Sequence, residues 1–217
     1  MKPRVSHQKT AALTRVEVLV IILMLAVLGV LVLPALVAAR KKAQRITCMN
    51  YLCQVGLAFR IWDGDHTNLY PMSLSTKLGG TLECTERGET FRHFQVMSNE
   101  LSTPRILVCP ADMRLPAKNF GPGFGNKDIS YFVSLNATEA NPQDLLSGDD
   151  NFEIGGVPVK PGVLEISSNN PIAWSAARHK FVGHIGLSDG SVQQVTSLGL
   201  TNLLSQTGLA TNRLAIP

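Results

Sequence analysis

The chain has 217 residues, a formal net charge of +4 and a hydrophobic content of 45%; that is enough for one modest globular domain with one further element, and too little for several domains. Three of the positive charges, Lys2, Arg4 and Lys9, lie in the first twelve residues, and without them the balance falls to +1, so the basic character belongs to the N-terminus and gives no case for a nucleic-acid partner. The four cysteines, Cys48, Cys53, Cys84 and Cys109, contain no CxxC pair, which speaks against a zinc ribbon, and outside the cytoplasm they would allow three complete disulfide pairings.

Val18 to Ala39 is almost wholly apolar over about 22 residues. As a helix it would reach roughly 33 Å, against about 30 Å for a bilayer's hydrocarbon layer. It also exceeds the roughly 7–15 apolar residues of an ordinary secretory signal. Lys2, Arg4, Lys9 and Arg15 precede it, and Arg40, Lys41, Lys42 and Arg45 follow it, so the flanking charges do not set an orientation. Glu17 stands just before this span. A carboxylate deep in a membrane helix costs about 2.5–3.5 kcal/mol, so it needs a partner or a route to water. Pro34, late in the span, removes a helical hydrogen bond and predicts a kink.

Past the span, Cys48, Leu52, Val55, Phe59 and Trp62 recur at alternating spacings of four and three. That is one apolar stripe on a helix, and it predicts a continuous helix to about Trp62 whose second half packs on a globular head. Asp63-Gly64-Asp65 predicts the stop, with Gly64 as a left-handed cap. The basic run Arg40 to Arg45 is expected at the lipid headgroups, and it has no interleaved aromatics on which bases could stack.

From Asp65 onward turn residues and short strands alternate. A short helix is expected at Phe91–Leu101, strands at Arg105–Cys109, Ile129–Leu135, Ile172–Ala176, Phe181–Leu187 and Ser191–Thr196, a terminal helix at Leu198–Gln206, and a glycine-rich loop at Pro116–Lys127. The reading is α+β: a long N-terminal helix, half membrane and half packed on the head, with a small antiparallel β-sheet.

Several residue groups could carry chemistry. Gly186-Leu187-Ser188-Asp189-Gly190 matches GxSxG, but a strand-like segment follows it and no histidine lies beyond His184, so a hairpin turn at Asp189-Gly190 is expected and catalytic residues are not. His179, His184 and Asp189 are five apart and read as surface or turn residues rather than metal ligands. Asp149, Asp150, Asn151 and Glu153 offer hard oxygens that could hold calcium, with exposed loop acids as the plainer reading. Cys48 on the buried stripe and Cys109 at the end of a core strand could be bridged, or could remain buried free thiols.

Ala11-Ala12-Leu13-Thr14-Arg15-Val16-Glu17-Val18-Leu19-Val20 resembles the prepilin signature, in which a glutamate stands five positions after the cleavage site and leads into a long apolar helix. Ala12 stands where glycine is usual and Leu13 where phenylalanine is usual. The resemblance implies cleavage between Ala12 and Leu13, methylation of the new Leu13 amine, and pairing of Glu17 with that amine on a neighbouring subunit. Pilin-like helices often carry a proline twenty-two residues into the mature chain, and counting from Leu13 reaches Pro34. Cys48-Met49-Asn50-Tyr51-Leu52, Leu107-Val108-Cys109-Pro110-Ala111-Asp112 and His184-Ile185-Gly186-Leu187-Ser188-Asp189-Gly190 are similar to head motifs of prepilin-type proteins abundant in some bacterial genomes. The organisation this implies is a basic leader at 1–12, a transmembrane and packing helix at 13–64, and a periplasmic head at 65–217. The implied role is a pseudopilin of the type II secretion class that catalyses nothing and sits in the bacterial inner membrane as a single-pass protein. Its partners would be prepilin peptidase, other pseudopilin subunits, the inner-membrane assembly platform and membrane lipid, with no cofactor beyond a possible calcium. The alternative is an unprocessed, membrane-tethered binding module or enzyme.

Overall fold

The computed structural model describes residues 14–217, which fall into one unit ending at Lys42 and a second comprising Ala43–Pro217. Helix α1, Arg15–Asp65, contributes to both. It opens with a reciprocal cap: the Glu17 backbone N–H donates to Thr14 Oγ1 at 3.3 Å, while Glu17 Oε2 accepts from the Thr14 backbone N–H at 2.8 Å and its hydroxyl at 2.9 Å. These bonds satisfy helix-end donors that have no intrahelical partner. In the first unit the large apolar side chains from Val16 to Val37 are exposed, and the helix is long and apolar enough to cross a membrane. Pro34 lies inside it.

In the second unit the expected stripe is present: Cys48, Leu52, Val55, Phe59 and Trp62 are all buried. Each fully buried aliphatic or aromatic side chain stabilises the fold by roughly 1.5–3 kcal/mol. The predicted stop is displaced. The helix continues through Gly64 to Asp65, and the left-handed positions are Thr67 and Asn68, with φ of 62° and 56°. Asn68 donates its backbone N–H to the Asp63 carbonyl at 2.9 Å. His66 explains the extension: its ring stacks on Trp62 at 3.9 Å and 5°, with Nδ1 2.7 Å from the Trp62 carbonyl, which holds one more turn in place.

After α1 come 3-10 turns, then α2 (Thr90–Gln95) and α3 (Ser98–Leu101) in place of one short helix. The expected strand at Arg105–Cys109 is instead a 3-10 turn, Pro104–Leu107, because Pro104 occupies a helical first-turn position and Thr103 caps it by accepting from the Arg105 N–H. The segment Pro116–Lys127 is irregular, as expected, up to a 3-10 turn that begins at Asn126. The strands are β1 (Tyr131–Ser134), β2 (Leu145–Asp149), β3 (Phe152–Ile154), β4 (Val157–Pro158), β5 (Gly162–Ile166), β6 (Ile172–Trp174), β7 (Val182–Leu187), β8 (Val192–Thr196) and, after α4 (Ser197–Gln206), β9 (Asn212–Ile216). All pairings are antiparallel. The larger sheet runs β5-β9-β1-β2-β7-β8 and the smaller β4-β3-β6.

The central strands are buried on both faces. In β1, Tyr131 and Val133 join the core built on the α1 stripe, whereas Phe132 joins a second core with Phe152, Trp174 and the α4 leucines. This is the two-residue alternation of a strand used on both sides. Gly183 admits the Trp174 ring, whose carbons lie 2.4–2.5 Å from where a β-carbon would stand. Gly190, at φ +85°, makes the β7–β8 turn with its N–H bonded to the Leu187 carbonyl at 3.0 Å.

Candidate functional site

The deepest polar cluster forms where α1 meets the middle of the larger sheet. Asp149 ends β2 directly opposite Tyr131 on β1, and the next register pair, Gly148 with Ile185, brings His184 of β7 alongside. Asp149 Oδ2 accepts from the His184 backbone N–H at 2.9 Å and lies 3.0 Å from His184 Nδ1. From the helix, the Cys48 thiol reaches Asp149 Oδ1 at 3.6 Å and the Tyr131 hydroxyl at 3.4 Å. His179, in the β6–β7 connection, sets Nε2 3.8 Å from Asp149 Oδ2 and 3.2 Å from Cys109 Sγ. Its ring meets that of His184 edge-on at 4.6 Å, and its carbonyl accepts from Arg45 on α1 at 3.0 Å. Lys180 and Phe181, immediately after it, both take left-handed backbone with φ of 56° and 63°, a conformation uncommon for a bulky side chain.

All five side chains are inaccessible: Cys48, Cys109, Asp149 and His184 are 0% exposed and His179 is 1% exposed. His179 and His184, expected at the surface or in a turn, are therefore core residues, and their acidic companion is Asp149 rather than Asp189, which lies exposed in the hairpin turn. Nothing in the linear spacing announced this, because β7 and the loop before it bring the two rings together only after pairing with β2. Burial pushes the Asp149 carboxyl up, but the His184 hydrogen bond and the charges of His184, Arg178 and His179 outweigh it and hold the group below its ordinary range. Cys109 is drawn below its ordinary range, first by a hydrogen bond from Cys48, with His179 adding to this against the effect of burial. Cys48 is raised by the same thiol contact and by burial.

Arg178 joins this cluster to a neighbouring one. Its side chain, 6% exposed, pairs with Asp112 at 2.7 Å, lies 3.7 Å from Asp149, and bonds Asp150 and the Ser130 carbonyl. Arg114 also pairs with Asp150, at 2.8 Å. The acids expected to be exposed in a loop are thus buried at Asp149 and Asp150, and Asn151 and Glu153 are half-buried. Two arginine cations on Asp150 oppose a calcium ion there, and Glu153 is placed in the smaller sheet, on β3. Cys48 and Cys109 are neighbours, as the sequence allowed, and both are free thiols. Ser188 of the GxSxG match is buried behind the hairpin turn.

At the other end of α1, Glu17 engages Thr14, and Pro34 lies among exposed apolar side chains. Ala12 and Leu13 lie outside the described residues. The chain matches no protein-family model, no curated protein and no solved structure.

Proposed function

We propose that the chain is a structural subunit of the pseudopilin kind, cut after Ala12 by a prepilin peptidase and anchored by α1 in a bacterial inner membrane, with its head in the periplasm. It would assemble with other pseudopilin subunits on an inner-membrane platform into a short filament of a type II secretion or pilus-like machine. The observation that carries this reading is an agreement within one helix: Glu17 and Pro34 both fall at the prepilin positions when counted from Leu13. The same helix then supplies the stripe that seats the head.

The opposite face of α1 supports assembly. Ile46, Leu57 and Ile61 are 50%, 56% and 46% exposed, and at about 100° per residue they line the side away from the buried stripe. A second apolar stripe of this kind has a use if the helix packs against helices of neighbouring copies. Glu17 would satisfy the amine of Leu13 on an adjacent subunit in the membrane, where an unpaired carboxylate is costly. Intact mass and N-terminal sequencing of the membrane-extracted protein test the reading. A chain that starts at a methylated Leu13 supports it; a functional chain that starts at Met1, or after Ala39, defeats it.

A further inference from the structure

We propose that Cys48, Asp149, His179 and His184 bind one divalent transition-metal ion, zinc by the chemistry of the donors, and that the ion clamps α1 to the sheet. The inference does not depend on whether the N-terminus is processed. One ligand atom from each of the four side chains lies within 4.8 Å of all the others. His184 Nδ1 and His179 Nε2 lie 3.0 and 3.8 Å from Asp149 Oδ2, and Cys48 Sγ lies 3.6 Å from the other oxygen, Oδ1; a tetrahedron with bonds of about 2.0–2.3 Å has edges of roughly 3.3–3.8 Å. Little movement separates these atoms from a coordination shell.

The donor types select the ion. One thiolate, two imidazoles and one carboxylate suit zinc and its neighbours, whereas calcium and magnesium take oxygen shells. A thiolate and a carboxylate together balance a dication, and Arg178 is paired with Asp112 and Asp150, so its charge does not stand against the ion uncompensated. His184 is fully buried and turns Nδ1 toward Asp149, so Nδ1 is the nitrogen that would take the ion and Nε2 would carry the ring proton. Cys109 Sγ, 3.2 Å from His179 Nε2, places a second sulfur at the rim of the site.

The sequence separations suit a clamp. The four ligands come from α1, the end of β2, the β6–β7 connection and β7. An ion joining them ties the helix to elements more than a hundred residues away, and because the four ligands come together only in the folded chain, the ion's binding energy adds to folding stability.

The test uses the full chain extracted in detergent, with Cys53→Ser and Cys84→Ser in place so that the more accessible thiols give no background. The expected results are about one zinc per chain by elemental analysis and, after chelation and reduction, cobalt(II) binding with a thiolate-to-cobalt charge-transfer band and the visible spectrum of a tetrahedral ion. Adding Cys48→Ser should abolish the charge-transfer band. His179→Ala should weaken cobalt affinity by more than the roughly 10–100-fold that outer-shell partners contribute. Absence of a thiolate–cobalt band in the reduced parent chain overturns the proposal, as does a Cys48–Cys109 disulfide in the protein as extracted. Both readouts come from the parent, so a ligand variant that fails to fold does not rescue the idea.

Discussion

A single oxygen of Asp149, Oδ2, accepts the His184 backbone N–H at 2.9 Å and stands 3.0 Å from the ring Nδ1 of the same residue. The carboxylate thus holds both the strand and the side chain of its neighbour. Arg178 and Cys48 approach its other oxygen, so one acid organises β2, β7, α1 and the loop before β7.

Asp149→Asn should therefore be strongly destabilising. It removes a fully buried charge and leaves the buried His184 ring without its carboxylate, while Arg178 keeps Asp112 and Asp150. Breaking a buried ionic network from one side costs about 3–5 kcal/mol. Trp62 and Trp174, both buried, report unfolding by fluorescence, so urea titration in detergent gives the difference directly. A loss below about 1 kcal/mol would mean that the cluster is held by other contacts.

His93 predicts an acid-sensitive head. It is 0% exposed, with Nδ1 2.7 Å from the Thr81 hydroxyl, and burial pushes its pKa from 6.5 down to about 4. Between those values the unfolded chain binds a proton that the folded chain refuses, so stability falls as pH drops. This contribution is complete above pH 6.5 and gone by about pH 4, and at about 1.4 kcal/mol per pH unit it amounts to roughly 3 kcal/mol. His93→Gln should flatten that part of the stability–pH curve relative to the parent. Parallel curves would show that another group sets the acid limb.

Glu17 has two separable jobs, capping through Thr14 and, in the proposed filament, pairing with a neighbour's amine. Glu17→Gln keeps an acceptor for the cap and discards the charge, whereas Glu17→Ala discards both. Membrane insertion should survive either change. Crosslinking between copies should fall with both if the charge matters; wild-type crosslinking with Gln and loss with Ala alone would assign Glu17 to capping.

Thiol accessibility offers a check on the head and on assembly together. Cys53 is exposed, while Cys48 and Cys109 are buried. A maleimide should modify Cys53 readily in the native protein and reach the buried pair only after denaturation. Leu57 stands one turn from Cys53 on the exposed face of α1. Leu57→Asp should leave head stability within about 0.5 kcal/mol and sharply reduce Cys53-to-Cys53 crosslinking in membranes. Unchanged crosslinking would remove this face from the proposed contact.

Much of the local structure is legible in the residue order. The apolar span, the Cys48-to-Trp62 stripe, the Asp189-Gly190 turn and the terminal helix were each written in a few neighbouring residues, because helix and hairpin periodicities repeat over three or four positions. The failures were local rules overridden by a neighbour: Pro104 and its Thr103 cap turned an apolar run into a 3-10 helix, and His66 stacking carried α1 past Gly64.

Other features had no local signature. Asn212–Ile216 was not expected as a strand, yet β9 sits between β5 and β1 and pairs with both, partners distant in the chain. His179 and His184 looked superficial because five-residue spacing says nothing about depth. His184 lies on β7, inside the sheet between β2 and β8, His179 lies in the loop before it, and α1 reaches the same cluster through Cys48 and Arg45. The anchor-like helix and the class of the head were legible from residue order, since short-range periodicity encodes them. The gathering of Cys48, Cys109, Asp149, His179 and His184 was not, since it depends on strand register and on where α1 rests, and those are set by the sum of long-range contacts rather than by any segment alone.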